Sequence, residues 1–199
     1  MLLRLFAILS VVLLGACGGN TSGLPPLTDE RYELRNDDAC VLDTGTGLLW
    51  ERKLEEPGLR NWRNTYSWFD PTSSTGEIDY RGTENGGSCE QSACDTWHFV
   101  EAINQSGLCG HNDWRIPDRD ELYSISDLSK SESPPTINAF AFPFTHASEY
   151  WSDNDYSFQP DSAWTWNFEY GHDRVDWKKE PKYVRLVRGS ASGLTPVKE

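Results

Sequence analysis

Trp114-Arg115-Ile116-Pro117-Asp118-Arg119-Asp120-Glu121-Leu122 sets an extended segment directly against a helix start. Pro117 keeps the residue before it in extended backbone. Immediately after it, Asp118 and Glu121 stand three apart, the spacing of a capping box in which each side chain accepts an N–H from the other residue's backbone. Leu122, Ile125 and Leu128 then supply an apolar face at helical spacing. Upstream, residues 95–106 predict a first helix. Asp95 or Thr96 caps it, Phe99 and Ile103 fall on one face, and Gly107 stops it.

Strands flank these two helices. Residues 39–43 and 48–51 read as strands around the turn Thr44-Gly45-Thr46-Gly47, and residues 150–153, 163–169, 174–177 and 183–188 read as later ones. Between the early strands and the first helix, residues 59–87 carry Trp62, Tyr66, Trp68, Phe69 and Tyr80 among turn-forming residues. Such a segment predicts an ordered loop, because that many aromatics are not left in water. Two helices among several short strands and long ordered loops predict an α+β fold.

The 199 residues include 18 Lys+Arg and 31 Asp+Glu, a formal charge of −13, and 13 % aromatic residues. Nine Trp, eight Tyr and eight Phe can build a core from a few large side chains, so disorder is excluded as a description of the whole chain. The negative excess argues against nucleic acid, whose backbone is bound by neutralising Lys and Arg. Sulfated glycans are disfavoured for the same reason.

Residues 1–16 place Arg4 ahead of an apolar run that is too short to span a bilayer as a mature helix. The run ends in Leu14-Gly15-Ala16-Cys17, which resembles a bacterial lipobox. That resemblance implies a signal peptide over 1–16, lipidation of Cys17 and, with Gly18 following, an outer-membrane lipoprotein held to the lipid bilayer through Cys17 alone. Residues 17–31 then read as a flexible tether, 32–189 as the folded body and 190–199 as a polar tail. Export into an oxidising space predicts two disulfides among Cys40, Cys89, Cys94 and Cys109. The first helix would hold Cys94 and Cys109 about 15–20 Å apart, beyond bridging reach. The expected pairs are Cys89 with Cys94 and Cys40 with Cys109.

Five separated motifs share one resemblance. They are 43–51 with Trp50, Gly58-Leu59-Arg60-Asn61-Trp62, the run 108–117 with Trp114, Arg115 and Pro117 followed by Glu121-Leu122, Tyr150-Trp151-Ser152, and Val184-Arg185-Leu186-Val187-Arg188-Gly189. Together they are similar to the Lcl C-terminal domain family over about residues 39–189. The resemblance implies an exported bacterial protein, and the founding adhesin's glycan binding is not carried over to this acidic chain. The Trp-Arg-Ile-Pro segment also resembles part of the sulfatase-modifying enzymes, which implies a C-type-lectin-like scaffold. The late reactive cysteines of those enzymes have no counterpart after Cys109.

Chemistry-bearing candidates are few. His98, His111, His146 and His172 are widely spaced and read as scattered surface residues, and no nucleophile elbow is present. Arg115, Glu121, Arg185 and Arg188 read as structural ion pairs. Asp153-Asn154-Asp155 and Asp161 offer oxygen ligands, so calcium is the candidate ion at 153–155, though no cofactor is required. With Trp151 they form the candidate ligand-binding set. Trp164, Trp166 and Phe168 alternate on one strand face and read as core, whereas Trp62, Trp68, Trp97, Trp151 and Trp177 are the candidates for an exposed sugar platform. The leading reading is a non-catalytic module that binds a glycan or surface protein. An envelope-assembly lipoprotein without a small ligand is the alternative, followed by a carboxylate-dependent hydrolase.

Overall fold

Local capping chemistry places both helices where the sequence predicts them. Asp95 accepts from the His98 N–H at 2.9 Å and starts α1, Thr96–Ser106, which ends at Gly107 with φ +65°. Asp118 starts α2, Arg119–Ser124, with both halves of the capping box formed. The Glu121 N–H donates to Asp118 Oδ1 at 2.7 Å, and the Asp118 N–H donates to Glu121 Oε2 at 2.9 Å. Because α2 stops at Ser124, Leu122 and Ile125 are buried but Leu128 is 46 % exposed, so Leu128 is not part of the buried face as expected.

A computed structural model describes residues 24–75, 77–192 and 194. Its strands are β1 (Tyr32–Arg35), β2 (Cys40–Asp43), β3 (Leu49–Glu51), β4 (Ser74–Thr75), β5 (Ile78–Asp79), β6 (Glu149–Asp155), β7 (Ser162–Asn167), β8 (His172–Trp177) and β9 (Val187–Arg188). All paired strands are antiparallel, in a four-stranded sheet β1-β2-β3-β9, a hairpin β4-β5 and a three-stranded sheet β6-β7-β8. The fold is α+β.

Strand alternation splits the interior in two. Val41, Trp50, Val187, Tyr150 and Trp166 point into one core, which α2 closes with Leu122 and Ile125. Their strand neighbours Cys40, Leu49, Leu186 and Trp151 point into the other, which α1 closes with Phe99 and Ile103. Neighbouring strand residues thus serve opposite cores. The loop 59–87 is ordered as expected. It contributes buried Tyr66 and Trp68 to the second core and contains the β4-β5 hairpin.

Three differences from the sequence reading have physical causes. Tyr32–Arg35 is a strand because Leu34 and Tyr32 pair in register with Val41 and Asp43. The strand expected over 183–188 is reduced to Val187–Arg188. Fully buried Arg185 turns inward there, donating to Glu51 O at 2.8 Å and Thr145 Oγ1 at 2.9 Å, while the Leu186 N–H donates to the Glu51 carboxylate at 3.0 Å. At the N-terminal side, the described part of the expected tether is docked. Arg31 is buried with its guanidinium on both oxygens of Asp43, each at 2.6 Å, and Leu27 packs on the first core. Cys17 and the segment 1–16 lie outside the described residues. In the segment 190–199, Ser192 donates its N–H to Thr46 O at 2.9 Å.

Both expected disulfides are present. Cys40 and Cys109 tie β2 to the turn after α1, and Cys89 bridges Cys94 across a separation of five residues.

Candidate functional site

The segment Trp114–Pro117 leads into α2 and meets the three-stranded sheet at Pro117. The Asp153 N–H donates to Pro117 O at 2.8 Å, and Asn154 Oδ1 accepts the Arg119 N–H at 2.9 Å. Asn154 is thereby committed to the first turn of α2, where unsatisfied N–H groups need acceptors. Asp155 accepts from Ser73 Oγ at 2.6 Å and pairs with the Lys178 ammonium. The expected calcium set at Asp153, Asn154 and Asp155 therefore does not converge, since a six- to eight-oxygen shell needs its donors pointed at one centre. Among the described residues, no group of three or more His, Cys, Asp or Glu side chains is arranged to hold a metal.

Asp153 is the electrostatically unusual group here. Partial desolvation, then the negative charges of Asp70, Asp155 and Asp118, push its carboxyl up to about 6 against the opposing Arg115. Its side chain still meets water, and the like charges around it oppose its ionisation.

The β6-β7 turn and the open face beside it gather aromatic rings. In the register of β7 and β8, Trp164 faces Val175 and Ser162 faces Trp177, so Trp164, Val175 and Trp177 share one face. α2 covers the far part of that face. Tyr123 lies against Trp166 at 5.6 Å, and the Arg119 guanidinium sits 4.1 Å over Trp164 while pairing with Asp173 at 3.1 Å. The near part stays open. Tyr156 meets Trp164 edge-on at 5.6 Å and Phe158 at 5.6 Å, and Phe158 is 86 % exposed. A pocket of about 280 Å³ is lined by Trp177, Asp161, Thr83, Gly82, Lys178 and Lys179. Trp177 is 44 % exposed, with the Lys179 ammonium 5.9 Å from its ring. Gly82 is required at the pocket's edge, because a Cβ at its φ of +83° would stand 2.4 Å from Trp68 O.

These positions redistribute the expected site residues. Trp151 is fully buried and donates Nε1–H to Tyr66 O at 2.7 Å, so it is a core residue and offers no ring face to a ligand. Trp68 is likewise buried, donating to Ser152 O at 2.9 Å. Trp62 and Trp97 are half-buried, and Trp62 is stacked on His146 at 4.2 Å. Of the five expected platform residues only Trp177 lies in the pocket, where Asp161 joins it. Trp164, expected in the core, is half-buried with the Arg119 guanidinium over its ring, while Trp166 and Phe168 are buried. Tyr156 and Phe158 are site residues that sequence reasoning missed. Their signal is a pair of aromatics inside a turn-rich stretch, the same signal that marks residues 59–87.

The remaining motif residues sit within the framework. Arg115 holds Glu121 through two hydrogen bonds of 2.7 and 2.6 Å, and Arg188 pairs with Asp113 at 2.7 Å. Trp50 and Trp114 are core residues. His146 is not a loose surface residue. It is sandwiched between Trp62 and Tyr183, at 4.2 and 4.0 Å, and desolvation holds its pKa below the usual histidine value.

Comparison with known families agrees with the motif order. The model of the Lcl C-terminal domain matches residues 39–188, which takes in β2 through β9, both disulfides and the aromatic face. No curated protein matches the chain.

Proposed function

The chain belongs to the Lcl C-terminal domain family, and on that premise we propose that it is a non-catalytic cell-envelope module that binds a neutral glycan on the open aromatic face. The observation that carries this reading is the exposed Trp177 lining a pocket with Asp161 and Thr83, on the strand face that also holds Trp164, with Tyr156 and Phe158 following at the β6-β7 turn. The C–H face of a sugar ring packs against an aromatic face, and hydroxyls around its edge pair with a carboxylate, a hydroxyl and an ammonium. Asp161, Thr83 and Lys179 supply those groups without a metal. Asp155 is engaged with Lys178 and Asp173 with Arg119, which leaves Asp161 as the one carboxylate lining the pocket among the described residues and favours binding over a hydrolysis that needs two. The chain's formal charge of −13 disfavours a sulfated ligand.

Two features suit an envelope location. Two disulfides suit an oxidising compartment, and Leu14-Gly15-Ala16-Cys17 suits lipidation at Cys17, with the body displayed on an outer-membrane lipoprotein. The C-type-lectin-like scaffold belongs to this same reading.

A glycan array probed with the full chain, Trp177→Ala and Phe158→Ala tests it. At least one neutral glycan should bind, and each variant should lose tenfold or more in affinity at unchanged melting temperature. No bound glycan, or equal binding by both variants, overturns the proposal.

A further inference from the structure

A group of exposed apolar side chains surrounds the place where the N-terminal segment joins the body. Tyr123 and Leu128, 45 % and 46 % exposed, line one cavity together with Leu24 and Leu27. Asn138 holds the same segment, donating Nδ2–H to Leu27 O at 3.2 Å and to Asp29 Oδ1 at 2.8 Å. Phe140, two residues further on, is 46 % exposed. The group is fixed from beneath. Tyr123 packs on Trp166, and Leu128 lies over Gly171, where a Cβ would stand 2.3 Å from Leu128 Cδ2. Buried Phe142 roots the Phe140 loop edge-on against Tyr32 at 5.3 Å. Apolar surface that is held out in this way marks a contact face.

What lies against this face follows from the chain that leads to it. Leu24 is part of the cavity wall, and Cys17, whose lipobox-like setting implies acylation, stands seven residues ahead of it. Seven residues reach at most about 25 Å when fully extended, so an acyl group on Cys17 keeps the face within that distance of a bilayer. One acyl chain alone gives only marginal membrane binding, and a second contact is what makes it stable. Aromatic side chains such as Tyr123 and Phe140 are suited to the boundary between headgroups and hydrocarbon. The cations beside the face each meet a carboxylate, Arg31 with Asp43 at 2.6 Å, Lys130 with Asp127 at 3.9 Å and Arg52 with Asp38 at 3.9 Å. An anionic headgroup therefore gains little here, and a net-neutral one fits. We propose that the face formed by Tyr123, Leu128 and Phe140 rests on a zwitterionic phospholipid surface, laying the body against the bilayer that its own anchor enters. This rests on the acylation of Cys17 proposed above and is independent of glycan binding.

Photo-crosslinking tests the assignment, with the full chain carried in phosphatidylcholine vesicles that contain a phospholipid bearing a diazirine near its headgroup. Mass spectrometry of the N-terminal peptide first reports the acyl group, and its absence removes the tether and the proposal with it. With the acyl group present, segments 120–130 and 138–142 should be labelled at least tenfold more than 156–158 and 170–177. The second pair is the internal control, because Phe158 and Tyr170 are the more exposed, at 86 % and 58 %. Leu128→Ser combined with Phe140→Ser should cut labelling at Tyr123 at least fivefold at unchanged melting temperature, and if that variant does not fold, the labelling ratio of the unaltered chain decides. Replacing a third of the lipid by phosphatidylglycerol should leave the labelling equal or lower. Labelling that follows exposure, equal labelling of the folded variant, or a threefold rise with phosphatidylglycerol overturns the proposal while leaving the acylation of Cys17 standing.

Discussion

Removing the two disulfides separately should produce unequal losses, because they close loops of very different length. The Cys40–Cys109 bridge spans a sequence separation of 69, and Cys89–Cys94 one of 5. Cross-linking removes loop entropy from the unfolded chain roughly as the logarithm of loop length, which gives about 4 kcal/mol for the long bridge and about 2 kcal/mol for the short one. Against a typical net stability of about 5–15 kcal/mol, the first is a large share. For a chain of this size the losses correspond to melting-point drops of about 8–16 °C and about 4–8 °C. The variants are Cys40→Ala with Cys109→Ala, and Cys89→Ala with Cys94→Ala. Alanine avoids placing a hydroxyl at Cys40, which is fully buried beside Leu49 and Tyr66. Equilibrium urea unfolding followed by tryptophan fluorescence reads both losses. Equal destabilisation, or a greater loss from the short bridge, would refute the loop-entropy reasoning and point to native contacts around Cys89 and Cys94 instead.

Arg115→Ala should cost about 2–3 kcal/mol. This is below the usual range for stranding a buried charge, because Arg115 is 41 % exposed on its side chain and Glu121 keeps its bond from the Asp118 N–H. Differential scanning calorimetry measures the loss, and unchanged stability would remove the structural reading of that pair. Gly82→Ala should lose about 2–3 kcal/mol through its clash with Trp68 O, whereas Gly107→Ala, with no atom within 4 Å, should lose only about 1 kcal/mol from its left-handed backbone. Denaturant midpoints of the two variants compare them directly. Asp153 binds its proton more tightly folded than unfolded, since its carboxyl is raised from 3.8 to about 6. Its contribution is therefore present at low pH and fades as pH rises through about 4 to 6. Asp153→Asn should flatten that part of the stability profile and, after allowance for solvent screening, gain about 1 kcal/mol at pH 7. An unchanged pH profile in the variant would contradict the placement of Asp153 among like charges.

Features set by short-range chemistry are legible in the order of residues alone. Asp95, Gly107, Asp118 and Glu121 act within one helical turn, so spacing is enough to locate both helices. The rigid length of α1 likewise separates Cys94 from Cys109 and excludes that bridge, and of the two pairings left the one with a short local bridge is observed. The site is less legible. Trp151 and Trp164 each stand on a strand and carry the same side chain, yet Trp151 faces Tyr66 in the second core while Trp164 lies at an edge that α2 does not reach beyond Arg119. Asn154 resembles an ion ligand in the sequence because its partner, the Arg119 N–H, is 35 residues away.

What the sequence by itself determined was the two helix starts with their caps, the α+β class, the exclusion of a Cys94–Cys109 bridge, the family motifs and a charge that disfavours polyanionic partners. What only the tertiary structure decided was which aromatic faces meet water, which carboxylates are already partnered, and where the pocket beside Trp177 lies. Capping and turn preferences are energies of neighbouring residues and can be read along the chain. Exposure depends on what packs across from a side chain, and here that covering comes from segments tens of residues distant, as with Trp68 over Ser152 and α2 over Trp166.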